Sequence, residues 1–254
     1  MSVYKITFSP TGGTEKAAAC LAAAFGQDIQ SIDLTDPAAD YGRIILSPDD
    51  ICITAVPSFG GRVPAAAASR LAKIQGRGAK AIAAVVYGNR DYDDTLLELQ
   101  NILAGAGFRC AAAVAAVAEH SILRQFAQGR PDAEDEAQLG EFAGKIRAAI
   151  EADSINSHIA LPGHTPYREY KGVPMKPRAG KGCSSCGLCA QKCPVRAIPA
   201  ESPSQTDTET CISCMRCVAI CPSHARSVNS LMLAAAAQKL KKSCQTRRGN
   251  ELFL

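Results

Sequence analysis

Between Cys183 and Pro222 one cysteine spacing occurs twice. Cys183, Cys186, Cys189 and Cys193 run into Pro194, and Cys211, Cys214, Cys217 and Cys221 run into Pro222, so that each copy reads C-x2-C-x2-C-x3-C-P. The copies also agree outside the cysteines, at Ser185/Ser213, Pro194/Pro222 and Ala197/Ala225, which marks a duplicated unit about a pseudo-twofold axis. Structural zinc sites usually join two C-x2-C pairs across a longer gap and need no third cysteine followed by proline. Disulfides need an oxidising compartment, which nothing in the sequence suggests.

The spacing suits an iron–sulfur cubane. A tight turn through the first three cysteines lets three thiolates cap three corners of a [4Fe–4S] cluster, and the fourth corner takes a ligand from elsewhere. In two-cluster ferredoxins the last cysteine of each run reaches the other cluster. The expected ligand sets are therefore Cys183, Cys186, Cys189 and Cys221 for cluster 1, and Cys211, Cys214, Cys217 and Cys193 for cluster 2.

With 254 residues, 47% of them apolar, the chain can bury a sizeable core in one or two domains. Charge divides it in two: residues 1–170 carry a net −5 and residues 171–254 a net +9. Part of the basic excess faces the anionic clusters. Nucleic-acid binding is not expected, because aromatics for base stacking are few and no reading helix is evident. Even a long apolar run such as Cys110 to Ala118 is mostly alanine and falls well short of the roughly 18 residues of a membrane span. The chain reads as cytoplasmic, without a signal peptide or membrane span.

The N-terminal part alternates strands and helices. Residues 3–8 read as a strand that stops at Ser9-Pro10-Thr11-Gly12-Gly13-Thr14, before a helix from Glu15 to Phe25. A hydroxyl-rich loop entering a helix presents N–H groups to a phosphate, or simply caps the helix; both readings stand at this point. It is neither a Walker A loop nor a G-x-G-x-x-G fingerprint. Strands at 29–34, 50–56, 80–87 and 109–117 and helices at 64–74, 93–103 and 132–150 follow, with an irregular crossover at 35–49. Pro64 and Pro131 suit first helical positions. Five strands with crossovers imply a doubly wound, five-stranded parallel sheet of α/β class, which binds ligands beyond the strands' carboxyl ends. Three loops leave those ends: Ser9–Thr14, Pro57-Ser58-Phe59-Gly60-Gly61-Arg62, and Tyr87-Gly88-Asn89-Arg90-Asp91-Tyr92-Asp93. Their glycines allow close backbone approach, and Phe59, Tyr87 and Tyr92 offer faces to a planar ring. Arg62 and Arg90 either stabilise an anionic ligand there or form surface ion pairs.

Taken with the segment Pro166-Tyr167-Arg168-Glu169-Tyr170-Lys171-Gly172, these loops and the cysteine runs resemble the fusions of flavodoxin with a two-cluster ferredoxin, over nearly the full length. The resemblance implies a flavodoxin-like domain over 1–153, a linker over 154–180 and a small α+β ferredoxin domain over 181–254. It implies two [4Fe–4S] clusters and one FMN, the phosphate held by Ser9, Thr11, Gly12, Gly13 and Thr14. The ring then lies among Pro57, Ser58, Phe59, Gly60, Gly61, Tyr87, Gly88, Asn89, Tyr92 and Asp93. The loop departs from the common flavodoxin pattern at Pro10 and Gly13, and with no tryptophan in the chain any stacking falls to Phe or Tyr.

Four prolines and four glycines in 162–182 make a stiff, extended connector. Val195 and Ile198 are expected to shield the clusters. A helix over 231–240 leads into the basic run Lys239, Lys241, Lys242, Arg247 and Arg248, which either docks an acidic partner or is a solvated helix end. Cys20, Cys52 and Cys110 read as small buried residues, and His224 as a surface residue or a cluster neighbour. No catalytic acid or base stands out. The function expected is electron transfer between FMN, two clusters and redox partner proteins. The alternatives are a flavin-dependent NAD(P)H or quinone oxidoreductase and a redox-sensing docking protein.

Overall fold

The computed structural model describes residues 1–156 and 159–254; two positions of the expected linker, 157 and 158, lie outside it. In chain order the elements are β1 (Val3–Thr7), α1 (Gly13–Ala22), β2 (Ile29–Asp33), β3 (Ile51–Pro57), α2 (Ala65–Leu71), β4 (Lys80–Tyr87), α3 (Thr95–Gly105), β5 (Arg109–Val117) and α4 (Ala133–Glu151). Then come β6 (Arg178–Ala179), α5 (Leu188–Gln191), α6 (Arg216–Ala219), β7 (Arg226–Ser227), α7 (Ser230–Cys244) and β8 (Glu251–Phe253).

The main sheet runs β2-β1-β3-β4-β5-β8. Its first five strands are parallel, in the flavodoxin-like order. Side-chain alternation along the central strands feeds two cores. Cys52 and Val56 of β3 and Ala81, Ala83 and Val85 of β4 pack under Leu71 of α2 and Leu96, Leu99 and Leu103 of α3. Ile53 and Ala55 of β3 and Ile82 and Ala84 of β4 face Leu21 of α1 and Leu139, Phe142 and Ile146 of α4. Each fully buried Leu or Ile here contributes about 1.5–3 kcal/mol. The order reverses between β1 and β3, which opens a crevice at their carboxyl ends.

Three expectations are corrected. The sheet has six strands, because β8 returns from the C-terminal part and pairs antiparallel with β5 at Ala113–Ala115. Neither Pro64 nor Pro131 is the first residue of a helix: Pro64 is the cap before α2, and Asp132 caps α4 through a capping box with Asp135. The connector ends earlier than residue 180, since β6 pairs with β7 and so belongs to the cysteine-rich unit.

That unit keeps its duplication in three dimensions. Left-handed backbone recurs at Ser185 and Ser213 (φ 54° and 55°), at Gly187 and Met215 (75° and 61°), and at Arg196 and His224 (54° and 49°). α5 and α6 occupy equivalent positions. In each copy the last cysteine's sulfur accepts a backbone N–H four residues on: Ala197 to Cys193 Sγ at 3.2 Å, and Ala225 to Cys221 Sγ at 3.3 Å.

Candidate functional site

The duplicated unit sits on the carboxyl end of the sheet. Arg216 at the start of α6 donates to the Ser9 carbonyl (3.4 Å), Arg196 donates to the Pro37 carbonyl (3.2 Å), and Arg70 of α2 donates to the carbonyls of Leu34 (2.6 Å) and Pro194. Cys214 is thereby brought to the switch-point crevice. It shares a small cavity, about 60 Å³, with Thr11, Gly13, Ser58, Phe59, Gly88 and His120.

Larger spaces open on either side. One of about 440 Å³ lies at the start of α1, bounded by Thr11, Gly12, Gly13, Lys16, Arg124 and Met215. The other, about 730 Å³, is lined by Phe59, Gly60, Gly88, His120, Tyr170 and Ile212 among others. Both fall within the usual range of ligand pockets.

At the α1 end, Gly12 adopts φ 95°, and a Cβ placed there would meet nothing within 4 Å, so the turn leaves open space over the helix start. Ser9 Oγ accepts the Glu15 N–H at 2.9 Å, which makes Ser9 a capping residue. The N–H groups of Gly13 and Thr14 have no partner inside the helix, as first-turn geometry requires. The nearby cations are committed: Lys16 to Glu136 (2.8 Å) and Arg124 to Glu119 (2.5 Å). What this end still offers to an anion is therefore the backbone of the helix N-terminus.

Several residues expected around a flavin ring are engaged otherwise. Asn89 is buried, donating to the carbonyls of Cys244 (2.8 Å) and Thr246 (2.9 Å) and accepting the Arg248 N–H (2.9 Å); it clasps the C-terminal segment. Tyr92 is buried edge-on against Tyr87, with ring centroids 5.2 Å apart, and offers no open face. Asp93 pairs with Arg90 and with Arg168 (2.7 Å). A Cβ on Gly60 would come within 2.2 Å of the Tyr170 ring, and one on Gly61 within 2.6 Å of Arg168 Cδ, so connector side chains cover both glycines. Arg62 is held in a two-bond pair by Glu98 (2.8 and 2.7 Å), the surface ion-pair reading. Pro57, Ser58, Phe59, Tyr87 and Gly88 do line the small cavity.

His120, which sequence reasoning passed over, lies at the centre. Its ring packs on Gly88, where a Cβ would approach to 2.7 Å, and it borders both the small and the 730 Å³ cavities. Nδ1 accepts the N–H groups of Ile122 and Leu123, each at 3.2 Å, so in the neutral ring Nε2 carries the proton. Burial holds its pKa below the ordinary value. The signal was available: residues 118–121 follow β5, a fourth loop at the same sheet end.

Among the described residues no two cysteines form a disulfide. Cys214 interacts electrostatically with Cys193, Cys217 and Cys211, the grouping expected for the second cluster, and Cys217 also senses Cys189. Among the described residues no three His, Cys, Asp or Glu side chains are close enough to ligate a single metal ion, whereas a four-iron cube needs its ligands set wider. Burial, then neighbouring thiols, pushes Cys214 up to about 12. Cys217 is pushed up to about 11, again chiefly by burial. At Cys221 burial acts upward but is outweighed by hydrogen bonds from Ser223, Ala225 and Arg226, and the thiol is lowered. Such a set ionises together only when bound metal supplies the positive charge. Ile198 is buried in a cluster with Cys193 and Ala197, and Val195, Cys189, Cys211 and Cys217 pack against that cluster.

The other cysteines and the tail complete the picture. Cys52 is buried, and Cys20 and Cys110 are half-buried. His224 is exposed. The basic run is no free docking tail throughout: Arg247 pairs with Asp132 (2.9 Å) and Glu134 (3.0 Å) at the start of α4, so its acidic partner is the chain itself.

Residues 182–226 match the family model described as a 4Fe-4S dicluster domain. A protein named for electron transport, YccM of Escherichia coli (strain K12), is 39% identical over 80 residues, 29% of this chain and 22% of that protein. A component of the ion-translocating oxidoreductase complex of Methanosarcina acetivorans is 36% identical over 74 residues, 29% of this chain and 26% of that protein. The matched segment thus spans about a quarter or less of either relative. Among solved structures, flavodoxin 2 from Bacillus cereus aligns over 58% of this chain and 99% of its own, with 15% identity and a TM-score of 0.46. No helix among the described residues is long and apolar enough to cross a membrane. By its strand order and its family match, the chain joins a flavodoxin-like sheet to a C-terminal 4Fe-4S dicluster domain.

Proposed function

We propose that the chain is an electron-transfer protein in which a flavin at the sheet's carboxyl end exchanges electrons with two [4Fe–4S] clusters, and these with redox partner proteins. The observation that carries this reading is the place of Cys214, in one cavity with the α1 loop and the loops after β3, β4 and β5. Cys183, Cys186, Cys189 and Cys221 would hold one cluster, and Cys211, Cys214, Cys217 and Cys193 the other. The soft, partly shielded thiol set suits iron–sulfur ligation.

The open turn at Gly12 and the N–H groups of Gly13 and Thr14 suit the phosphate of FMN. Phe59, Gly88, His120 and Tyr170 bound the space for its ring, and Ser58 lines the approach. When bound, such a flavin supplies the link between two-electron and one-electron chemistry. The chain's own part is to hold Cys214 against that space, to exclude water with Ile198, Ile212 and Met215, and to keep a neutral imidazole donor at its edge.

The test is anaerobic purification with iron, sulfide and flavin quantification, followed by reductive titration read by optical and EPR spectroscopy. About eight irons and one FMN per chain support the reading. Eight irons with no flavin after FMN is added would reduce the sheet to a docking platform, and zinc in place of iron would overturn the cluster assignment. Turnover of NAD(P)H with a dye acceptor would instead favour the oxidoreductase alternative.

A further inference from the structure

The two cluster half-sites differ in what they meet. Of the second set, Cys193 and Cys214 are each only 8% exposed, and Cys214 faces the sheet. Of the first set, Cys183, Cys189 and Cys221 are half-buried and Cys186 is exposed. Residues 181–186 form a surface on which Lys181, Gly182, Ser184, Ser185 and Cys186 are all exposed, Cys183 alone being half-buried.

Both ligand runs are basic, and the carboxylates nearest in sequence, Glu201, Asp207 and Glu209, belong to the loop that joins them, where Thr206 donates to the Pro177 carbonyl at 2.8 Å. No Asp or Glu occurs in 170–200 or in 210–250, so both ligand runs lie in stretches without carboxylates. The cations of these stretches divide by task. Arg226 is buried, donating to the carbonyls of Pro203 and Gln205, and Lys176 donates to the Cys211 carbonyl; these offset negative charge from within. Arg178 and Lys181 are exposed and form no ion pair among the described residues. Their position is fixed: the Cys183 N–H donates to the Gly180 carbonyl (3.1 Å), closing the turn that carries Lys181, and the Gly180 N–H donates to the Ala225 carbonyl (2.8 Å). Ala225 in turn donates its N–H to Cys221 Sγ. The turn therefore lies on the loop of Cys221, the fourth ligand expected for the first cluster, and Arg178 pairs in register with Ser227 beside it.

We infer that this face, with Arg178 on β6, Lys181 in the turn that follows and the exposed Cys186 just beyond it in the chain, is the docking surface for an acidic one-electron carrier protein, so that the first cluster is the external port and the second the internal one. The inference rests on the electron-transfer reading. Unpaired cations around an exposed redox ligand steer an anionic partner and give weak, salt-sensitive binding. The basic residues of the C-terminal run are a separate group, since Arg247 is already paired with α4.

The test uses the full chain with its iron restored and, as probe, an acidic plant-type [2Fe–2S] ferredoxin. Binding is measured by NMR titration at low and moderate salt. The R178E/K181E variant is expected to bind roughly tenfold more weakly than the parent, with a flatter salt dependence. K181Q is expected to fall between them. K239E/K242E, which alters exposed cations on α7, is expected to bind as the parent does. Iron is counted on every sample, so a parent chain without iron refutes the cluster reading itself. A parent with about eight irons that does not bind the probe, or equal losses in the two double variants, overturns the port. If R178E/K181E loses iron, K181Q with full iron decides: parental affinity and salt slope refute the proposal, and reduced values sustain it.

Discussion

His120 shows how much a single side chain can report. Its pKa lies below the ordinary 6.5, so the unfolded chain takes up a proton before the folded one does. The stability tied to this residue is present above pH 6.5 and is lost as pH falls from there toward its folded value. H120Q is expected to flatten that part of the stability profile, read by urea unfolding between pH 5 and 7; an unchanged slope would count against a buried neutral imidazole. Gly60 offers a second check. G60A must keep φ 62° and push the Tyr170 ring away, a cost of about 1–3 kcal/mol. In the G60A/Y170A double variant the cost shrinks, a coupling that unfolding cycles detect; additive losses would mean that the two do not touch. These residues also mark where the sequence stops being readable. Gly60, Asn89 and Asp93 fall in a loop class that favours ligands, but each is taken by a distant segment: Tyr170, Cys244 and Arg168. Local pattern carries no information about such partners.

At the scale of elements the parallel sheet was legible, because β3, β4 and β5 are runs of small and β-branched residues and the helices between them carry apolar stripes, Ala67 and Leu71 on α2 and Leu96, Leu99 and Leu103 on α3. β8 was not. Three residues are too short for any periodicity, and what places them lies elsewhere: Asn250 Oδ1 accepts the Val117 N–H (2.8 Å), while its amide donates to Asp135 (3.1 Å) and Gln138 (2.8 Å). N250A would leave buried groups unpaired and cost about 1–3 kcal/mol, measured by chemical denaturation. Asp135 itself is buried against Arg130. Burial opposes its ionisation, but hydrogen bonds from Arg130, from the Asp132 N–H and from Asn250 outweigh it and hold its pKa below the ordinary carboxylate value. Its contribution is thus present above about pH 4 and is lost as pH falls further. D135N leaves Arg130 unpaired, costs about 3–5 kcal/mol at neutral pH and shallows the acid limb; a neutral-pH loss under about 1 kcal/mol would contradict the buried pair.

At the scale of the whole molecule, the acidic N-terminal part and the basic C-terminal part meet through Arg70, Arg196, Arg216 and Arg247, each reaching a carbonyl or carboxylate of the other half. The cysteine spacing made one half of this plan plain, but not the mating of the two, which depends on surfaces. The dicluster segment leaves the sheet through a connector pinned at Asp94, which accepts the N–H groups of His164 (2.9 Å) and Arg168 (2.7 Å), and returns to the sheet as β8. A module on one tether finds its acceptor by rotational diffusion, so its internal transfer slows as the solvent thickens. Held at both ends, this one has no search to make: after a light flash, electron exchange between its two halves is expected to proceed at the same rate in dilute buffer and in concentrated sucrose.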